Sequence, residues 1–288
     1  MLPEALLQRS VTLNMFHLHF LSTDFQSGKS SVIIALLNRL KLRMCMLNLF
    51  KAISITDDTA RIGNNCVPWS LYEQLKTADI SYDPRMNPIL LIPNKPTELQ
   101  DKLEHHCMYE LFLFGKSTQQ LSGQAFMEKA DYYAQTITNT ANQLRSSSFL
   151  ISEGMGKGFG NLDYISQIAN WSFFDAQTTK IVLIINAKSE HLADNLAEAL
   201  LLVAEKGLDI AGCIFTKVTG ASAGLDAAEN RIRAQGVSAI GKIPYNKDYI
   251  GELSDYLAWS NYVSTCLGEP FFDEFLNAME RPPAPFIT

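Results

Sequence analysis

The chain has 288 residues, enough for one large α/β domain or two small ones with a sizeable core. Apolar residues make up 47% and charged residues 19%, and a net charge of -6 argues against a general nucleic-acid surface. Five scattered cysteines without a Cys-x-x-Cys pair argue against a disulfide framework or a zinc site and suit a reducing compartment. No apolar run reaches the roughly 18 residues of a membrane helix and we find no signal peptide, so we expect a cytoplasmic protein without a membrane partner.

Short apolar runs bounded by polar turns recur along the chain. Strands that are buried on both faces of a parallel sheet have this nearly continuous apolar pattern. The predicted strands are Phe16–Leu21, Met44–Phe50, Phe149–Ser152, Ile181–Asn186, Ile210–Phe215 and Ala239–Ile243. We place the start of the first strand at Met15, so that residues 1–14 are an N-terminal extension or a misplaced start.

Helical patterns lie between several of these strands, at residues 30–42, 191–207 and 224–236. This alternation predicts βαβ units and an α/β fold with a doubly wound, mainly parallel sheet and helices on both faces. Residues 57–124 are less regular and are punctuated by prolines. We predict a single domain over residues 15–245, with residues 246–288 as a C-terminal helical appendage of the same domain.

The turn after the first strand, "STDFQSGKSS", ends in Gly28, Lys29 and Ser30 and opens onto a helix. A phosphate-binding loop, G-x-x-x-x-G-K-[ST], has the same context, although Thr23 stands where the strict pattern has its first glycine. In such a loop backbone N–H groups cradle phosphates, the lysine reaches the β- and γ-phosphates, and the hydroxyl ligates Mg²⁺. The alternative is a polar turn in which Ser27 or Ser30 caps the helix.

Lys51 follows the second predicted strand, and two adjacent carboxylates, Asp57 and Asp58, come shortly after it. A lysine at the carboxyl end of a buried strand lies where open α/β sheets bind ligands. Carboxylates just beyond it can hold Mg²⁺ directly or through water. A surface lysine and an Asp-rich turn are the alternative.

The third predicted strand ends in Glu153, which is followed by Gly154, Gly156, Gly158 and Gly160. An acid at a strand end opposite the loop is what a nucleotide-bound Mg²⁺ needs. Glycines tolerate positive φ and let a ligand approach the backbone closely. This spacing favours a functional segment over a merely flexible loop.

Taken in order, these segments resemble one family, the P-loop synthetases that include dethiobiotin synthetase and the synthetase domain of cobyric acid synthase. "STDFQSGKS" aligns without a gap with the family's G-T-D-T-x-x-G-K-T and places Ser22 at the first glycine. "FKA", "ARIG" and "RMNPILLIP" resemble F-K-[PA], A-x-x-G and M-N-P-V-L-L-x-P, and "ISEGMGKGFGNL" resembles V-E-G-A-G-G-x-x-x-P-L. "GLDIAGCIFTKV" and "GKIPY" resemble the family's last two strand segments. The similarity is collinear over about residues 15–245.

The resemblance implies a P-loop NTPase-like fold, with ATP and Mg²⁺ as cofactors. The residues that it implies for the nucleotide are Gly28, Lys29, Ser30, Ser31, Thr216 and Pro244, with Thr216 at the position of the family's adenine-reading asparagine. Those that it implies for the metal are Ser30, Asp57, Asp58 and Glu153. Lys29 also has a catalytic role by this resemblance, and Lys51 and Thr23 stand near the reacting carboxylate or carbamate. The backbone of Gly154 and Gly156 meets the substrate.

Members of the family transfer a phosphoryl group from ATP to a carboxyl-type oxygen, after which a nitrogen attacks the mixed anhydride. Because the sequence leaves no room for a glutaminase domain after the tail, we expect a dethiobiotin-type reaction of diaminopelargonate, CO₂ and ATP. Family members dimerise, so the resemblance also implies a homodimer that acts on a small molecule.

Three alternatives stay open. One is amidation of the cobyric acid synthase type, with ammonia supplied in trans. Another is a catalytically degenerate nucleotide-binding or regulatory module, which the replacements at Ser22 and Thr216 favour. A partition-type ATPase fits less well, because the loop has no second lysine at its start.

Overall fold

The fold is taken from a computed structural model that describes residues 17–24, 27–41, 46–95, 103–159, 162–246 and 256–281. Its strands in chain order are β1 (His17–Ser22), β2 (Leu47–Phe50), β3 (Ile53–Ile55), β4 (Thr59–Ile62), β5 (Asn65–Pro68), β6 (Ile89–Pro93), β7 (Met108–Leu113), β8 (Lys116–Ser122), β9 (Phe149–Glu153), β10 (Thr179–Asn186), β11 (Asp209–Val218) and β12 (Ile240–Pro244). The helices are α1 (Lys29–Lys41), α2 (Trp69–Ala78), α3 (Gly123–Met127), α4 (Ala130–Arg145), α5 (Tyr164–Trp171), α6 (Leu192–Glu205), α7 (Ala223–Arg233) and α8 (Tyr256–Glu280).

The central sheet has six strands in the order β12-β11-β10-β1-β9-β2, and every neighbouring pair is parallel. These are the six strands predicted from the apolar runs, with bounds that differ by a few residues. The predicted starts at Met15 or Phe16 and at Met44 lie outside the described residues. The prediction of an α/β fold with a mainly parallel sheet is therefore confirmed.

Helices cover both faces of this sheet, which explains why its strands are apolar without alternation. On β10, Val182 and Ile184 join a core with side chains of α1, α2 and α8. Ile181, Leu183 and Ile185, which alternate with them along the strand, join a second core with α6 and α7. Successive side chains of a strand point to opposite faces, so one buried strand contributes to both cores.

Residues 57–124 are more regular than the sequence suggested. Strands β3, β6, β7 and β8 form a second sheet in that order, and β4 pairs with β5 in an antiparallel hairpin. The sequence did not reveal these strands because they are short and some are polar. Strand β8 in particular, "KSTQQLS", lies at a sheet edge with most of its side chains exposed.

The described part of the predicted C-terminal appendage forms helix α8, which packs against α1 and β12. Helix α8 contains a kink at Gly268, where φ is 69°, and Pro270 follows two residues later. Phe271 and Phe275 of its second half are buried in the core that α1 shares. Within the described ranges, no helix is long and apolar enough to cross a membrane.

Candidate functional site

The strand order places a topological switch point, where open α/β sheets form a crevice, between the carboxyl ends of β1 and β9. After β1 the chain moves to β2 at one edge of the sheet, and after β9 it crosses to β10 on the other side of β1. Helix α1 packs on one face, whereas α5 contributes to a core on the opposite face. In open α/β sheets, ligands bind outside the carboxyl ends of the strands at such a switch point.

Gly28 lies immediately before α1, where the glycine of a phosphate-binding loop also lies. Gly28 has a φ of 87°, in the left-handed region that favours glycine, and its carbonyl accepts the first helical hydrogen bond from Val32, at 3.0 Å. Lys29 is buried, and its Nζ atom donates to the Gly156 carbonyl at 2.6 Å and to Ser22 Oγ at 2.8 Å. The lysine of the loop thus lies between β1 and the glycine-rich segment after β9.

Glu153 is the point at which the predicted segments meet. It ends β9, is only 6% exposed, and its Oε1 atom accepts a hydrogen bond from Ser30 Oγ at 2.5 Å. Lys51, which follows β2, places its Nζ atom 3.7 Å from the same oxygen and 3.0 Å from Ser70 Oγ. The structure therefore brings together Ser30, Lys51 and Glu153, which are far apart in sequence.

Electrostatics keep the Glu153 carboxylate charged despite its burial. Burial by itself raises the pKa of a carboxyl group, because it disfavours the charged form. The charges of Lys51 and Lys29, with hydrogen bonds from Ser30 and Gln74, outweigh that effect and lower the pKa of Glu153 below its ordinary value. A buried anion at the end of β9 is thus available to a cation or to a positively polarised group.

The glycine-rich segment is anchored to β1 by its backbone. Gly154 N–H donates to the Phe20 carbonyl at 2.9 Å, and Gly158 N–H donates to the Ser22 carbonyl at 2.9 Å. A side chain at Gly154 would collide with Asn170 Oδ1. Gly154 is thus required for packing, and its N–H group is already used, whereas the Gly156 carbonyl faces Lys29.

Thr23 and Ser22 are fully buried beside the loop. The Thr23 hydroxyl lies 3.2 Å from Asp24 Oδ2, and the Thr23 N–H group donates to the Ile184 carbonyl at 3.1 Å. Ser22 Oγ donates to the Gly156 carbonyl at 3.0 Å and accepts from Lys29. Ser22 thereby supplies a hydroxyl that the glycine of the resembling family cannot supply.

The residues predicted to lie near the base are at the ends of β11 and β12. Thr216 Oγ1 donates to the Ser27 carbonyl at 2.8 Å, which ties β11 to the loop. Pro244 is exposed at the end of β12, and the next residue, Tyr245, places its ring 3.1 Å from Lys188 Nζ. Ser31 is half-buried in the first turn of α1.

Asp57 and Asp58 are exposed in the turn between β3 and β4. Burial and the neighbouring Asp57 raise the pKa of Asp58. Among the described residues, no group of three His, Cys, Asp or Glu side chains is placed to hold a metal ion, so the two aspartates do not form such a cluster with Glu153.

Two site residues were missed by the sequence interpretation, and both lie on α2. Gln74 Nε2 donates to Glu153 Oε2 at 2.8 Å, and Ser70 contacts Lys51. Gln74 lies on the same helical face as Leu71, Leu75 and Ala78, all buried. A polar residue on an otherwise apolar helical face is a signal that could have identified it.

No protein-family model matches this sequence, and no curated protein is significantly similar to it. Among solved structures, a protein described as a plasmid partition protein from Borrelia burgdorferi B31, bound to AMPPNP, has 13% identity and a TM-score of 0.46, covering 91% of this chain and 98% of its own. A McdA variant of Cyanothece with ATP has 14% identity and a TM-score of 0.46, covering 92% and 95%. A nucleotide-binding protein from Archaeoglobus fulgidus with ADP has 14% identity and a TM-score of 0.42, covering 90% and 91%. Similarities this weak do not identify a function, so any functional proposal rests on the residues of this chain.

Proposed function

We propose that the chain binds ATP with Mg²⁺ at the crevice between β1 and β9 and transfers the γ-phosphoryl group. The observation that carries the proposal is the hydrogen bond from Ser30 to the buried carboxylate of Glu153, at 2.5 Å. It joins the start of α1 to the end of β9, at the edge where a nucleotide would lie. A polar turn that only caps α1 would not need a buried acid opposite it.

The oxygen atoms present suit Mg²⁺, which prefers oxygen ligands and keeps several of its waters. Ser30 donates a hydrogen bond to Glu153, so the lone pairs of the Ser30 oxygen remain available to a cation. The Glu153 carboxylate offers a second, negatively charged oxygen ligand. Ser27, in the loop itself, has a buried hydroxyl without a hydrogen-bond partner among the described residues, and a phosphate oxygen could accept from it. Bound Mg²⁺ would neutralise charge on the phosphates.

The lysines supply the remaining charge compensation. Lys29 holds its ammonium group beside the Gly156 carbonyl and Ser22, where it could exchange one acceptor for a phosphate oxygen. Lys51 lies 3.7 Å from the Glu153 oxygen that Ser30 contacts and could hold an acceptor's carboxylate or carbamate oxygen. Phosphoryl transfer depends on positioning and electrostatic stabilisation more than on a protein nucleophile, and these side chains suit that demand.

We further propose that the acceptor is a carbamate or carboxylate, as in the dethiobiotin synthetase type. The bond from the γ-phosphorus to the β,γ-bridging oxygen would break, a bond to the acceptor oxygen would form, and an amine would then displace phosphate to close a C–N bond. Lys51 is buried beside Glu153, so it belongs to the site and is not a surface lysine. Its positive charge supports an anionic acceptor.

Phosphate release from ATP and Mg²⁺ tests this proposal, measured with and without diaminopelargonate and bicarbonate. A dethiobiotin-type enzyme releases phosphate only when both are added, and Lys29→Ala abolishes the release. Release without any acceptor would instead support an ATPase. Binding without turnover would support a regulatory module, and failure of Mg–ATP to bind would contradict the proposed function altogether.

A further inference from the structure

Helix α2 contacts the Glu153 carboxylate at the oxygen that does not face Ser30. It follows the hairpin of β4 and β5 and packs against α1. Gln74 is 2% exposed, and its Nε2 atom lies 2.8 Å from Glu153 Oε2. Its position in the middle of α2 gives this contact a rigid support.

The two oxygens of Glu153 have different partners. Oε1 faces Ser30 and Lys51, whereas Oε2 accepts from Gln74. A carboxylate that accepts a hydrogen bond on each oxygen cannot rotate freely. The Gln74 amide therefore fixes the orientation of the Glu153 carboxylate relative to the loop. An amide donates a proton without carrying charge, so it orients Glu153 without neutralising it.

We propose that Gln74 is a positioning residue that aims the Glu153 carboxylate at the Mg²⁺ of the bound nucleotide. This inference rests on the proposed function. Lys29 and the loop backbone would hold the phosphates without Gln74, so loss of Gln74 should weaken Mg²⁺ binding and leave metal-free ATP binding unchanged. Loss of a hydrogen-bond partner that orients a metal ligand typically costs 10–100-fold in metal affinity or activity.

The most informative substitution is Gln74→Glu, which keeps the shape of the side chain and removes the donor. It would set a second carboxyl group against Glu153 Oε2, where the Gln74 amide now donates, so the hydrogen bond that orients Glu153 is lost. Gln74→Ala removes the same donor without adding a carboxyl group.

The experiment titrates MgCl₂ at fixed ATP and follows binding by calorimetry, with ATP in EDTA as the metal-free reference. For Gln74→Glu and for Gln74→Ala we expect the half-saturating Mg²⁺ concentration to rise about 10-fold or more over that of the wild type at about pH 8. ATP binding in EDTA should stay as in the wild type in both variants.

Gln167→Glu is the matched control, because Gln167 is an exposed glutamine on helix α5. It should bind Mg–ATP as the wild type does. An unchanged or lower Mg²⁺ requirement in a folded Gln74→Glu protein would overturn the inference while leaving the proposed function intact. An equal loss of ATP binding in EDTA would overturn it as well, since a merely structural effect would not be confined to the metal. Absence of Mg–ATP binding by the wild type would overturn both.

Discussion

Two buried histidines on β1 predict acid-sensitive folding. His17 and His19 share one face of the strand and are fully buried, and both rings lie 2.5 Å from Ser152 Oγ on β9. The second ring nitrogen of His19 has no hydrogen-bond partner among the described residues. Burial, reinforced by the charge of Lys29, lowers the pKa of His19 to about 3. Burial lowers the pKa of His17 as well.

The sign and size of the effect follow from linkage. A neutral histidine in the folded protein becomes protonated on unfolding at any pH below about 6.5, so the unfolded state binds more protons. The free energy of unfolding therefore decreases as the pH is lowered. The contribution of His19 is complete above about pH 6.5 and is lost progressively down to about pH 3, its pKa in the folded protein. Between about pH 7.5 and about pH 5.5, His19 alone should cost about 1.4 kcal/mol of the free energy of unfolding.

Urea unfolding of the wild type and His19→Asn at the two pH values tests this expectation. Asparagine keeps an acceptor near Ser152 but does not titrate, so the variant should lose about 1.4 kcal/mol less than the wild type over this interval. His191→Asn changes an exposed histidine and should behave as the wild type. An equal loss in the wild type and His19→Asn would refute the assignment of His19 as a buried neutral group.

Three further predictions concern packing and charge. Gly154→Ala should lower stability by about 1–3 kcal/mol, seen as a lower melting temperature, because the new methyl group collides with Asn170. Glu153→Gln should cost about 3 kcal/mol in urea unfolding, because the buried Lys51 loses its counter-charge, and unchanged stability would argue against that pair. Phe275→Ala should cost about 3–5 kcal/mol if the C-terminal helix is part of the domain core, whereas a loss below about 1 kcal/mol would indicate a separately folding tail.

The central sheet could be predicted because its strands are buried on both faces. A short, continuous apolar run between two helical segments, such as Ile181–Asn186, is typical of a buried strand in a parallel sheet. Strand β8 could not be predicted in the same way, because an edge strand with exposed polar residues has no apolar pattern to read.

Some residues of the candidate site could likewise be predicted from local sequence, whereas others depend on three-dimensional packing. The proximity of Lys29, Ser30 and Glu153 could be predicted, because they lie at or after the carboxyl ends of neighbouring parallel strands. The contribution of Gln74 depends on how α2 packs beside Glu153, and no local motif encodes that packing. The conclusion that the Gly154 N–H group is already bonded to Phe20 likewise needed the three-dimensional register of β1 and β9.

Calorimetric titration of the wild type and Lys29→Ala with ATP and Mg²⁺ tests the central claim most directly. Lys206→Ala serves as the control, because Lys206 is exposed at the end of α6, away from the loop. We predict that the wild type and the control bind Mg–ATP at one site per chain and that Lys29→Ala, checked to be folded, loses most of this affinity. Equal binding by Lys29→Ala, or no binding by the wild type at millimolar nucleotide, would contradict a nucleotide site at the carboxyl end of β1.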